Sequence, residues 1–282
     1  MPTELVSQLP NELLDEIFQL AARESHSTAI TLMQISKWVS NRIEPVLYEV
    51  IAIEQTGFSP HFFLPPHIEK LSSGILDVFK QYGHHVRYLS IEPSQPEPLI
   101  VPTLNLCPSL RNLKAPVDLS AEMIEIVQVH LPHLKRISGR FTQHFASLDA
   151  SKPLWRHLTH LDMIGDHYWS DCSTFLPHLS SLTHLALNDP ELNDGSREDE
   201  MVLGPLRDCR RLEALLLVSE PAGLLEACKE RNYEPADDRV VAVGVKALED
   251  WLNGVRGGFD MWAHADRIIG DRRKTRNDSS GA

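Results

Sequence analysis

Leu158-Thr159-His160-Leu161-Asp162-Met163 decides the fold, because its apolar first, fourth and sixth positions recur along the middle of the chain. The same outline is carried by Val86-x-x-Leu89-x-Ile91, Leu110-x-x-Leu113-x-Ala115, Leu134-x-x-Ile137-x-Gly139 and Leu182-x-x-Leu185-x-Leu187. The starts, 86, 110, 134, 158 and 182, lie 24 residues apart. A sixth, Leu212-x-x-Leu215-x-Leu217, comes 30 residues after the fifth, and the acidic loop Asp189 to Glu200 accounts for the excess. Alternation of inward and outward residues is the mark of a strand, and a constant interval of this size implies strands stacked in parallel with a return segment each. The expected pairing follows chain order.

The returns fit that reading. Ser120 to Val129 reads as a helix capped by Ser120, and Arg197 to Leu206 as another. Three residues before the later strand starts stand Cys107, Leu131, Trp155, Leu179 and Cys209, which gives the two aligned cysteines a packing role. With Cys172 and Cys228 they make no C-x-x-C pair, so reduced thiols are expected rather than a disulfide framework or zinc knuckle. The outline resembles a degenerate leucine-rich repeat, and the usual asparagine is replaced by Ser94, Asp118, Thr142, Asp166, Pro190 and Glu220. The resemblance implies an α/β solenoid of parallel strands with helical returns. Beyond Glu220, Arg239 to Val243 reads as a last strand, and Val245–Asn253 with Asp260–Ile269 as helices covering the open end of the stack. Trp251, Phe259 and Trp262 are their expected anchors, and the polar end, with Arg272-Arg273-Lys274, is expected to be a disordered, solvated tail.

Ahead of the repeats, Leu9-Pro10-Asn11-Glu12-Leu13-Leu14-Asp15-Glu16-Ile17-Phe18 reads as a short helix with Pro10 in its first turn. After the polar run Arg23 to Ser27, Thr28 is the expected cap of a second helix bearing Ile30, Leu32, Met33 and Ile35; Trp38, Val39 and Ile43 continue it to Pro45. So few short helices cannot bury this many apolar side chains among themselves, which leaves a surface that wants a partner. LPNELLDEIF, followed by LMQISKW and EPVLYEVI, resembles the F-box, most closely its fungal form, over roughly residues 5–53. By that resemblance Leu9, Pro10, Leu13, Leu14, Ile17, Ile35 and Trp38 contact the Skp-family adaptor, and through it a cullin.

Two residues past each strand start the side chain points to the concave face, which places Tyr88, Asn112, Arg136, His160, His184 and Ala214 there. Strands ~4.8 Å apart make Arg136, His160 and His184 a ladder beside Asp162. Tyr88, Asn112, Lys114, Arg136, Arg140, His160, Asp162 and His184 form the expected client-binding face, in which Lys114, Arg136, Arg140, His160 and His184 make a positive patch on an otherwise acidic protein. A metal held by His160, Asp162 and His184 is the alternative for this face, and Arg136 brings a repelling charge to that grouping.

A net charge of −12 over 282 residues argues against nucleic acid or acidic lipid as partner. The absence of a signal-like start or a run of about 20 apolar residues leads to the expectation of a soluble protein of the cytoplasm or nucleus. No catalytic or phosphate-loop motif stands out, and neither enzyme chemistry nor a cofactor is expected. The expected organisation is an F-box over 1–56, a linker and connecting helix over 57–84, a repeat domain over 85–220, a cap over 221–270 and a tail over 271–282. The two resemblances imply a substrate-receptor subunit of an SCF-type ubiquitin ligase that joins adaptor to client. An F-box scaffold outside ubiquitination is the alternative, and an α/β enzyme the third.

Overall fold

The computed structural model describes residues 9–53, 74–91, 97–141, 148–165, 172–188, 195–219, 237–244 and 247–280. Residues 57–73 of the expected linker and connecting helix, half of the acidic loop Asp189 to Glu200, Cys228, and the cap over 221–236 lie outside them. Eight strands form one parallel sheet in chain order: β1 (Val50–Ile53), β2 (Tyr88–Ile91), β3 (Asn112–Asp118), β4 (Arg136–Arg140), β5 (His160–Ile164), β6 (His184–Asn188), β7 (Ala214–Ser219) and β8 (Val240–Gly244). Of the two strands that flank the six outlines, β8 is the last strand expected at Arg239 to Val243, and β1 was not expected. The sheet starts at Val50, inside the segment assigned to the N-terminal module, and Val50 pairs with Tyr88.

Register follows the repeat. Tyr88, Asn112, Arg136, His160, His184 and Ala214 stand side by side across five strand pairs. Every apolar position of the six outlines is buried, from Val86 and Leu89 to Leu215 and Leu217. Cys107, Leu131, Trp155, Leu179 and Cys209 are buried beneath them, and burial pushes the Cys107 thiol up to about 12 and Cys209 to about 11. Both cysteines act as apolar packing groups. Gly139 replaces the third apolar residue for a local reason. A Cβ there would lie 3.1 Å from the Ala115 carbonyl oxygen and from the Leu119 side chain, which fills the space after the irregular pairing at the end of β3.

The face bearing the apolar outline residues is covered by α-helices: α4 (Gly74–Tyr82), α5 (Glu97–Asn105), α6 (Ala121–His130), α7 (Pro153–His157) and α8 (Gly195–Asp208). Ser120 caps α6 by accepting the Met123 N–H at 3.3 Å. In the core Trp155 meets Phe175 edge-on at 4.9 Å and donates its indole N–H to Gln128 at 3.2 Å.

The N-terminal helices are α1 (Asn11–Glu24), α2 (His26–Met33) and α3 (Lys37–Leu47). The polar run Arg23 to Ser27 is no loop: α1 continues to Glu24, and Ser25, rather than Thr28, caps α2 by accepting the Thr28 N–H at 3.1 Å. Ser36 restarts the chain as α3 by accepting the Val39 N–H, and Pro45 is held inside the last turn. Ala22, Val39, Ile43 and Leu47 join the same core as the sheet. Glu49 ties the layers together, taking Arg23 at 3.3 Å and Arg87 at 3.0 Å.

The C-terminal helices are α9 (Ala247–Val255) and α10 (Met261–Ser280). They were expected at the open end of the stack, yet they lie on the sheet face of Asn112, Arg136 and His184, the one expected to be open and concave. Met261, Trp262, Ala265 and Ile269 pack on Ala186, Ala214, Leu216, Val218, Val241 and Val243, while Trp251 and Leu252 pack with Ala52. The expected tail is helical to Ser280. Arg272 donates to the carbonyls of Val240 and Asp238 at 2.6 and 3.2 Å, and Arg276 pairs with Asp238 at 2.8 Å, so two basic residues of that segment are docked on β8.

Candidate functional site

The first candidate site is an apolar ridge on the N-terminal helices. Leu13, Ile17 and Leu20 recur at i, i+4 and i+7 along α1, one stripe of a helix. Leu9 precedes them, and Ile35 and Trp38 come from the α2–α3 junction. All six are between 39 and 59% exposed, which is unusual for large apolar side chains clustered on one small module. Pro10 is exposed and Leu14 half-buried. Phe18 backs the ridge, meeting Trp38 edge-on at 6.3 Å, and the Arg42 guanidinium lies 5.7 Å from the Trp38 ring. The sequence points to Leu9, Pro10, Leu13, Leu14, Ile17, Ile35 and Trp38; the structure adds Arg42 and Leu20, whose spacing from Ile17 was the available signal.

The second is the concave face, where the expectation of an open surface fails. Asn112, Lys114, Asp162 and His184 are buried, Tyr88, Arg136 and His160 are half-buried, and only Arg140, at the far end of β4, is exposed. The cover is the chain's own C-terminal pair. The Trp251 indole donates to Asn112 at 3.1 Å, Asp260 pairs with Arg136 at 3.1 Å, and Asp266 meets His184 Nε2 at 3.0 Å. The imidazoles of His160 and His184 are stacked at 4.3 Å, and Trp262 stands edge-on to both, at 5.0 and 5.8 Å. The ladder exists as expected, but carboxylates answer Arg136 and His184, so the positive patch is not free.

Between sheet and cover lies a polar chamber with about 30 Å³ of water-accessible space, room for one or two waters. Ser138 donates to Asp162 at 2.6 Å, while the other carboxylate oxygen of Asp162 has no partner among the described residues. Burial raises the pKa of Asp162, with Lys114, Ser138 and Asn188 opposing. Burial likewise lowers that of Lys114 against the pull of Asp162 and Asp250, and pushes Asp250 up to about 6. The metal grouping does not form. Thr159 and Thr183 hydroxyls engage Nδ1 of His160 and His184 at 2.8 Å each, and among the described residues no set of three His, Cys, Asp or Glu is placed to hold a metal ion.

No family model, curated protein or solved structure matches the chain. Among the described residues no helix is long and apolar enough to cross a membrane.

A pH prediction follows from His160. Burial, then Arg136 and His184, pushes its pKa down to about 2 from 6.5. Unfolded chain therefore takes up a proton below pH 6.5 that the folded chain refuses, and stability is lost as pH falls. Asp250 and Asp162, raised in the fold, act with the opposite sign, favouring the fold as pH falls through their folded pKa values. A double difference isolates His160. Below pH 6.5 the stability of His160→Gln relative to wild type should improve by up to about 1.4 kcal/mol per pH unit. Urea unfolding at pH 7, 6, 5 and 4 measures this, and a pH-independent gap would show that His160 does not titrate this way.

Proposed function

We propose that this chain is a substrate receptor of a cullin-based ubiquitin ligase, docking the Skp-family adaptor through the ridge Leu9, Leu13, Ile17, Ile35 and Trp38. The carrying observation is the ridge itself. Of nine large apolar side chains exposed among the described residues, six sit on this one module. An apolar ridge on helices fits a partner that lays its own apolar helices against it. The sheet and its helices form the rigid body on which a client is held, and ubiquitin transfer takes place on other subunits. The chain then works in the cytoplasm or nucleus, where those subunits are. Purification of the tagged chain tests the proposal: adaptor and cullin should co-purify, and at least one co-purifying client should live longer when the chain is removed.

One observation favours a second reading, a scaffold that binds the adaptor without directing ubiquitination. The concave face, an obvious place for a client on a solenoid, is already covered. Cullin present with no client lifetime lengthened would select the scaffold.

A further inference from the structure

The concave face changes character across the sheet. On β6 to β8 the residues under α10 are apolar apart from His184: Ala186, Ala214, Leu216, Val218, Val241 and Val243. On β3 to β5 the same face offers Asn112, Lys114, Arg136, Ser138, His160 and Asp162. Covering this polar half obliges each buried group to find a partner or destabilise the fold. Here the closed state desolvates Lys114 and Asp250, and one oxygen of buried Asp162 has no protein partner among the described residues. Polar residues of this kind suit a surface that is wet part of the time.

The cover has the form of a ligand. Asp260 grips Arg136, Trp262 stands on the imidazole stack, and Asp266 reaches His184 from the solvent edge, with 59% of its side chain exposed. Asp260 also accepts the Ala263 N–H at 2.9 Å, so the acidic anchor begins the helix it belongs to. The link between α9 and α10, Arg256 to Phe259, is exposed, and Gly257 adopts φ +76°, a conformation favourable to glycine. This glycine-bearing link is the joint at which a released α10 would turn.

We propose that α10 is a releasable self-ligand of the concave face, and that the client displacing it is a helical segment bearing an aromatic residue between two carboxylates. The arrangement required is the chain's own: acid, aromatic two residues on, second acid four residues further. Displacement exchanges like contacts for like, so the apolar surface under α10 is covered again by the incoming helix. The idea rests on the receptor reading for the word client, while release of α10 is measurable without any adaptor.

The test uses the full chain and a fluorescein-labelled synthetic peptide of residues 259–276 as probe. A tethered segment competes at an effective concentration in the millimolar range, so wild type should bind the probe barely at ~100 µM. The Trp262→Ala, Asp266→Asn double variant should bind it at least about tenfold tighter, and a probe carrying those same two changes should not bind. Native-state hydrogen exchange on wild type covers the case of a misfolded variant. The amides of α10 should exchange through a local opening on the order of a hundredfold faster than those of β4 and β5. Exchange of α10 only together with the sheet, or equal probe binding by a folded variant and wild type, overturns the proposal and leaves the adaptor ridge untouched. Loss of the adaptor assignment would in turn leave release of α10 standing as a property of the fold.

Discussion

Leu9→Ala combined with Ile17→Ala should weaken binding of the Skp-family adaptor on the order of a hundredfold while the repeat sheet stays folded. Leu9 is 40% and Ile17 49% exposed, so about half of each side chain remains to be buried by a partner. At ~25 cal/mol per Å² that burial, with the cavities truncation leaves in the interface, amounts to about 3 kcal/mol for the pair. Little of it is drawn from the fold. The residues that join α1 and α3 to the core, Ala22, Val39, Ile43 and Leu47, are untouched. Circular dichroism should therefore overlay that of wild type while adaptor capture falls. Capture at the wild-type level would remove the ridge from the interface.

The largest effect on stability is expected from Leu161→Asp. Leu161 is 1% exposed and sits between Ile137 and Leu185 in the register. Among the described residues Leu161 lies within the apolar core, and the substitution combines loss of an apolar contact with burial of an unpaired charge, together at least about 4 kcal/mol. A domain stable by roughly 5–15 kcal/mol loses much or all of its margin. Because each repeat is supported by its two neighbours, damage should spread in both directions from β5. Limited proteolysis should cut within β4 and β6 as readily as β5, and the thermal transition should fall sharply or vanish. A variant that melts with wild type would mean that the strands are not one cooperative stack.

The sheet was legible because its signal is periodic: a strand's alternation and a constant interval fix which residues face inward, and eighteen buried positions follow from six outlines. The ridge was legible for a different reason, an excess of apolar side chains over what three short helices can hide. The cover was not. Trp251 and Trp262 announce that α9 and α10 must pack, but a helix's own pattern does not name its partner surface, and Asn112 and His184 look like solvated residues until that partner arrives. The helical tail was hidden similarly. Residues 271–280 carry no apolar stripe, and what docks them is the pairing of Arg276 with Asp238, thirty-eight residues away in sequence. Phe259, expected as an anchor, is 53% exposed and instead stacks under the Arg267 guanidinium at 4.9 Å.

Titration calorimetry of the full chain with a purified Skp-family adaptor tests the central claim most directly. The ridge predicts a one-to-one complex whose heat of binding becomes more negative with temperature, the mark of apolar burial. No heat and no co-elution at ~100 µM of each protein, well above a Kd of about 1 µM, would contradict the assignment of this chain as a ligase receptor.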